Sequence, residues 1–516
     1  MKNYKNLAHI QQEERRKFLK NVAYGIPFLM SANVLSGCSY QRDAAPHDPI
    51  IKKSTFRVEN GVKTLHLKGS PYEIGYQHGY HLAEKIALMI RTTLSTTAAF
   101  VSRQTGWSLE VSDTMLSKGL ASAKPHFPDF LKEEMRGMVD GARIAGVHIT
   151  LEQVILWNTD YDQWCIYSHP NHWTPEGAPP STFGGSLAPA GGCSSFCAWD
   201  EWAGGDGKLI FGKNEDNFNM PGQMENRILV IVDPDDGFGH CFMTFPGMIG
   251  LDGGFNEAGF EMMTQLNQMA DETMEGCGIG VFTRLLLTRA KSVEDAIKIF
   301  KSHPRISGIA YHVADAVRKK AAIIETSAEH VAVRYPEAGV KALWQTNHSN
   351  CFPGWMGYEG YNMVNGQQSV NALADVSTIA RWQASLREPD NPYVQAPSRF
   401  ERYSELIHRH KGSITPETAQ MILTDRYDPY SGSTRRKWEP SVSNNILCTI
   451  CALYPDVTFT AKAPVGDFKA HIANMWSMVV YPESGDFWLA ANGFPAQYEG
   501  YVHMNLKTLL GRLRDL

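Results

Sequence analysis

A cysteine directly behind two glycines, Gly191-Gly192-Cys193, opens the apolar run Ser194-Ser195-Phe196-Cys197-Ala198-Trp199. A thiol attacks a carbonyl as its thiolate, and a free cysteine has a pKa near ~8.5, so such a nucleophile needs a base within reach. If the chain breaks between Gly192 and Cys193, the α-amine of Cys193 becomes that base. Its reference pKa of about 7.7–8.0 is close to working pH, where proton abstraction is most efficient. A cysteine of this kind needs no histidine, and it stays nearly inactive while its amine is locked in the Gly192–Cys193 amide. Taken alone, Cys193 reads as a buried structural thiol, the commonest fate of a cysteine. The residues that accompany it change that reading.

Gly212-Lys213-Asn214-Glu215-Asp216 ends a second β-prone run, and a hairpin between the two runs would return Asp216 to Cys193. Further on come Gly253-Gly254-Phe255-Asn256-Glu257-Ala258-Gly259, then Gln345-Thr346-Asn347-His348, then Ser398-Arg399-Phe400. Each segment has a bland reading: a solvated turn, a β-turn around Asn-Glu-Ala-Gly, a surface arginine at the start of a helix. In this order they resemble the cysteine N-terminal-nucleophile (Ntn) hydrolases of the acyl-coenzyme A:isopenicillin N acyltransferase-like peptidase family. Bile salt (choloylglycine) hydrolases and penicillin V acylases are more distant likenesses, and the resemblance covers roughly residues 65–495.

The resemblance implies self-cleavage between Gly192 and Cys193, with Cys193 as nucleophile. Asp216 would orient the nucleophile and its α-ammonium, flanked by Lys213 and Asn214 as positioning residues. Asn256 and Asn347 would face the tetrahedral intermediate; one such donor is typically worth ~3 kcal/mol of transition-state stabilisation. Arg399 would orient the cysteine, and His348 would at most support the site from behind. Two positions depart from the pattern. Lys213 stands where bile salt hydrolases carry arginine, keeping the charge but losing the planar fork. Glu215 is polar where relatives often carry an apolar residue.

The elements that must position these groups change character along the chain. Gly69-Ser70-Pro71-Tyr72-Glu73 predicts a helix start, with Ser70 as N-cap and Glu73 three residues on. Leu82, Ile86, Met89, Ile90 and Leu94 continue it as one apolar face. On this helix Gly75-Tyr76-Gln77-His78-Gly79 matches a G-x-x-H-G segment of the family, where a lone histidine reads as packing or a hydrogen-bonded core group. Helices follow at 128–145 and 150–163, and residues 166–192 turn to Pro, Gly, Ser and Asn, as in an exposed linker. From Cys193 the pattern is strands, a helical pair at 282–301 with Ser292 as N-cap, then strands again. This order fits antiparallel sheets packed together and covered by helices, an α+β protein. The family resemblance implies a four-layer αββα Ntn-hydrolase sandwich, preceded by a mainly helical N-terminal segment.

Residues 1–38 read as an address. Arg15-Arg16-Lys17-Phe18-Leu19-Lys20 is close to a twin-arginine export signal, and Val22–Leu35 is apolar but too short for the ~20 residues of a membrane span. Leu35-Ser36-Gly37-Cys38 resembles a lipobox, with Cys38 lipidated as the mature N-terminus. The expected organisation is 1–38 signal, 39–64 tether and first strand, 65–165 helical segment, 166–192 linker and 193–516 catalytic segment. Localisation follows: export by the twin-arginine route and lipid anchoring in the cell envelope.

A formal charge of −5 over 516 residues, with no basic run, gives no footprint for nucleic acid. Of nine cysteines, Cys38 goes to lipid and Cys193 to catalysis. Cys448-Thr-Ile-Cys451 has redox-motif spacing but follows an apolar run and reads as structural; a zinc site would need two more matched ligands. The expected enzyme is a self-activated cysteine amidohydrolase acting on a small-molecule N-acyl or peptide-like amide, with no metal or organic cofactor needed. The alternatives are a phospholipase B-like lipid acyl hydrolase and a non-catalytic surface lipoprotein using the same scaffold as a binding module.

Overall fold

Ser70 starts the longest helix, α1 (Pro71–Thr105), with the expected capping box: its side chain accepts from Glu73 N–H while Glu73 accepts from Ser70 N–H. Gly106, at φ 74°, closes the helix in the left-handed region. The computed structural model describes residues 48–167, 173–181, 192–267, 269, 271–351, 395–428, 433–434 and 457–515. The chain divides into residues 1–45 and 46–516, and every described residue belongs to the second unit.

Helices α2 (Leu109–Ala123), α3 (Asp129–Ile144) and α4 (Leu151–Ile166) complete the N-terminal helical segment. Glycines bring α1 and α3 almost into backbone contact. A Cβ at Gly75 would lie 1.7 Å from the Glu134 carbonyl oxygen, and one at Gly141 would lie 1.9 Å from that of Tyr76. This accounts for the glycines of the G-x-x-H-G segment. Its histidine is a core group: His78 Nε2 accepts from Gly247 N–H at 3.0 Å, and burial lowers its pKa to about 3, so it is neutral.

The strands are β1 (Thr55–Glu59), β2 (Val62–Gly69), β3 (Gly192–Ala198), β4 (Ile210–Phe218), β5 (Ile228–Pro234), β6 (His240–Thr244), β7 (Gly253–Asn256), β8 (Phe260–Leu266), β9 (Ile309–Asp315), β10 (Lys320–Thr326), β11 (Val331–Arg334) and β12 (Ala342–Gln345). After them come two small hairpins, β13 (Tyr427–Asp428) with β14 (Ser433–Thr434) and β15 (Val457–Thr460) with β16 (Asp467–Ala470). The last are β17 (Ile472–Tyr481), β18 (Asp486–Ala490) and β19 (Val502–Asn505).

One sheet runs β1-β2-β5-β6-β7-β8-β9-β10-β11, antiparallel except between β2 and β5. The other runs β12-β3-β4-β17-β18-β19 and is antiparallel throughout. The sheets meet face to face: His312 of β9 bonds to Ser195 and Cys197 of β3, and the rings of Phe255 and Phe487 lie 5.4 Å apart.

Helices cover both outer faces. Against the nine-stranded sheet pack α5 (Ile279–Arg289), α6 (Val293–Ser302) and α9 (Leu506–Arg514). Ser292 caps α6 by accepting from Asp295 N–H, as expected. Against the six-stranded sheet pack α7 (Gln395–Arg409) and α8 (Pro416–Leu423), where Tyr403, Leu406, Ile407 and Ile422 cover Phe196 and Val479. The result is an α+β, four-layer αββα sandwich with the helical segment α1–α4 ahead of it. The predicted linker ends where β3 begins, and Cys448 and Cys451 lie outside the described residues, as do Cys38 and the rest of the address segment.

Candidate active site

β3 and β4 form the expected hairpin, but its register differs from expectation by one residue. Cys193 stands opposite Glu215, and Asp216 stands opposite Gly192. Side chains alternate along a strand, so one residue of register decides which face a group joins. Cys193, Ser195, Lys213 and Glu215 share the face between the two sheets. Ser194 and Asn214 face the covering helices, where Ser194 Oγ meets Tyr403 Oη at 2.9 Å and Asn214 Nδ2 donates to the Leu423 carbonyl at 2.9 Å. Asp216 accepts from Asn474 Nδ2 at 3.0 Å, at the bulge where β17 shifts register against β4. Asn214 therefore ties the hairpin to α8 and does not flank the thiol.

Around the sulfur the groups are charged and buried. Cys193 Sγ lies 3.1 Å from Glu215 Oε2, and Lys213 Nζ lies 3.0 Å from the same oxygen. Lys213 also donates to the Thr264 carbonyl of β8. Burial and then the Glu215 charge push the Cys193 thiol well above its ordinary pKa, while Lys213 pulls it down. Burial also raises the Glu215 pKa, opposed by Lys213. Asp252, just before β7, lies beside Glu215, and its carboxyl is pushed well up by burial and by the Glu215 charge. Glu215 Oε1 and Asp252 Oδ1 are buried without a donor among the protein groups. A single proton shared by the two carboxyl groups would satisfy both, with the Lys213 ammonium balancing the remaining charge. Helix α4 helps place Asp252, because Asn158 accepts from Ile249 N–H and donates to the Gly247 carbonyl on the loop that leads to it.

The Cys193 backbone is held separately. Cys193 N–H donates to Asn347 Oδ1 at 2.7 Å, Arg399 Nη1 donates to the Cys193 carbonyl at 2.8 Å, and Arg399 Nη2 donates to Asn347 Oδ1 at 2.7 Å. Asn347 Nδ2 donates to the Leu266 carbonyl at 3.0 Å. Two donors on one side and an acceptor on the other set the amide's orientation, a choice that only such a network decides. Asn347 thus turns its oxygen toward the Cys193 nitrogen, and a second Nδ2–H remains beyond the one given to Leu266. His348 stands behind, with Nδ1 3.1 Å from Thr346 Oγ1 and its ring against Phe400.

Asn256 is not part of this group. Its Nδ2 donates to the carbonyls of Leu287 and Ala290 at 2.9 and 2.8 Å, and its Oδ1 accepts from Ala258 and Phe260 N–H. Both amide hydrogens are spent tying the β7–β8 turn to the end of α5, so the expectation of an oxyanion donor at Asn256 is corrected to a structural clamp. The two groups sequence reading passed over are Glu215 as the thiol's neighbour and Asp252. The polar departure at Glu215 was the signal for the first; nothing marked Asp252 beyond its place before Gly253-Gly254.

A narrow pocket of about 30 Å³ adjoins the site, with Asp252 in its wall. Trp157, Phe245 and Met248 give it an apolar side, and Asp160 and Arg227 a polar one. Among the described residues, metal-ligand spacing occurs at Asp271, Glu329 and His330, a separate cluster in which Asp271 already accepts from Ser327 Oγ and Glu329 N–H.

The family model for acyl-coenzyme A:6-aminopenicillanic acid acyl-transferase matches residues 202–470, just over half of the chain. The chain belongs to this acyltransferase family. The matched stretch begins after Cys193 and takes in Lys213–Asp216, Asp252, Asn347 and Arg399. A protein of Archaeoglobus fulgidus described as uncharacterized is 29% identical over 285 residues, 54% of this chain and 45% of its own length, so the match spans less than half of that relative. Among solved structures, a mutant of conjugated bile acid hydrolase from Clostridium perfringens is 14% identical, with a TM-score of 0.35 over 61% of this chain and 93% of that one. Penicillin V acylase from Agrobacterium tumefaciens is 12% identical, with a TM-score of 0.32 over 58% and 83%. An N-acylethanolamine-hydrolyzing acid amidase ortholog from Caenorhabditis elegans is 14% identical, with a TM-score of 0.32 over 56% and 93%. In this chain the Lys213 ammonium and the Glu215 carboxyl lie beside Cys193.

Proposed function

We propose that this member of the acyltransferase family is a self-activating cysteine amidohydrolase. The observation that supports it most is the cradle around Cys193: its nitrogen on Asn347 Oδ1, its carbonyl on Arg399, its sulfur beside Glu215 and Lys213. Cleavage after Gly192 frees the α-amine in the place where Asn347 already holds the nitrogen. The amine takes the thiol proton, and the sulfur adds to the substrate's amide carbonyl. The oxyanion meets the second Nδ2–H of Asn347, and the ammonium returns its proton to the leaving amine. Water then attacks the thioester with the amine again as base. Asp216, opposite Gly192 in the register, is our candidate for holding the α-ammonium.

The Trp157, Phe245 and Met248 side of the pocket, with Asp160 and Arg227 beside it, would have to open further to take the acyl arm of a linear amide joined to a polar amine. Export by the twin-arginine route and anchoring through a lipid on Cys38 complete the reading. Cys38→Ser should then leave the protein soluble where the parent sediments with membranes.

The test of the chemistry is the mass of the enzyme during turnover of N-acyl amino acid amides, quenched in acid. We expect an acyl adduct on the fragment that begins at Cys193, discharged by hydroxylamine. Turnover with no thiol adduct, or turnover retained in Cys193→Ala, would contradict the mechanism. Hydrolysis of phospholipid esters in place of amides would transfer the same site to lipid substrates.

A further inference from the structure

Before cleavage the α-amine is an amide nitrogen and cannot act as a base, yet cleavage itself needs the Cys193 thiolate. Burial makes that need sharper: the side chain is 2% exposed and its thiol is held in the neutral form. The group in contact with the sulfur is a carboxyl oxygen, Glu215 Oε2 at 3.1 Å, a distance suited to proton transfer. We propose that Glu215 is the catalytic base of self-cleavage, a role distinct from that of the amine in the mature enzyme. The inference rests on the self-activation reading above.

The surrounding groups assign the charges. Glu215 Oε2 faces both the thiol and the Lys213 ammonium, whereas its other oxygen has no protein donor except a protonated Asp252. The facing groups are Cys193 from β3, Lys213 from β4 and Asp252 from the loop before β7, all buried, and the half-buried Tyr161 from α4. With the Asp252 proton in place, Glu215 carries the single negative charge and Lys213 the single positive one. A carboxylate whose pKa is raised by burial is a stronger base than a solvated one, which suits it to a thiol.

The step balances as follows. The Sγ–H proton passes to Glu215 Oε2, and the thiolate, stabilised by Lys213, adds to the Gly192 carbonyl carbon. The C–N bond to Cys193 breaks as Glu215 returns the proton to the departing nitrogen, leaving a Gly192 thioester on Sγ. One water then hydrolyses the thioester, releasing the Gly192 carboxylate and regenerating the thiol. Lys213 and Asp252 act through Glu215 and are positioning residues. Once the amine is free, it is a second base within reach of the thiol.

The test is a chase after cell-free synthesis of the full chain, with cut and uncut forms read by intact mass. Wild type, Glu215→Gln and Glu215→Asp are compared, and folding is monitored by thermal melting. We expect Glu215→Gln to cleave about 100-fold or more slowly than wild type, as for loss of a positioned general base, with Glu215→Asp between them. A folded Glu215→Gln that cleaves at the wild-type rate would overturn the proposal. If Glu215→Gln does not fold, the wild-type pH profile decides. A carboxylate base acting on a neutral thiol gives a rate that falls at acid pH and is flat from about pH 7 to 9. A rate that climbs about tenfold per pH unit across that range would show hydroxide-driven thiolate formation and overturn it equally. Absence of any cleavage in wild type would defeat the self-activation reading, whereas normal cleavage in Glu215→Gln would defeat only the role of Glu215.

Discussion

Cys193 and Cys197 lie on the same face of the same strand, both buried, with both thiols pushed well above their ordinary pKa by burial. Cys197 even has a histidine, with His312 Nε2 3.2 Å from its sulfur. That imidazole is a poor base. Burial holds its pKa well below the usual value, and its other nitrogen bonds to Ser195 Oγ at 2.8 Å. Among the described residues no histidine bonds to Cys193, which instead has a carboxyl, an ammonium and two groups that hold its backbone. On the proposed function, the pair separates a cysteine with a histidine beside it from one set among charged groups. What distinguishes Cys193 is a carboxyl oxygen 3.1 Å from its sulfur and a backbone held at both its N–H and its carbonyl.

The comparison can be broken by substitution. Cys193→Ala should abolish both self-cleavage and amide turnover, read by intact mass and product release, while the folded chain persists. Glu134→Ala should cost the most stability, because it strands Arg284 without the two contacts of 2.7 and 2.8 Å that join α3 to α5. A loss of about 3–5 kcal/mol is expected in a denaturant titration. Arg399→Ala should leave the Cys193 carbonyl and Asn347 Oδ1 short of a donor and slow cleavage by roughly 10- to 100-fold, the equivalent of a charged hydrogen bond. Asn256→Ala should reduce stability by about 1–3 kcal/mol and leave the rate of the folded fraction unchanged. A loss of activity without loss of stability there would restore the oxyanion role. Cys197→Ala should be mildest, near 1 kcal/mol of stability and full activity.

Much of this was legible in the chain. The Ser70 cap, the helices near 128–145 and 150–163, the helical pair and most strands of the sandwich are placed within a few residues, because caps and apolar periodicity are local signals. The β3–β4 register was not. Residues 210–216 of β4 are all buried, so polar and apolar types do not alternate with the faces, and Asp216 was expected where Glu215 stands. Asn256 misled for the opposite reason: a turn asparagine that clamps a helix end and one that faces a substrate share the same Asn-Glu-Ala-Gly residues. Asp252 reaches the site through Asn158 and the chain fold, contacts that no motif encodes.

The most direct measurement is the intact mass and N-terminal sequence of the purified protein beside Cys193→Ala. The account predicts a chain beginning Cys-Ser-Ser-Phe in the wild type and an uncut chain across Gly192–Cys193 in the variant. A single uncut chain in both, with the protein folded, would contradict it.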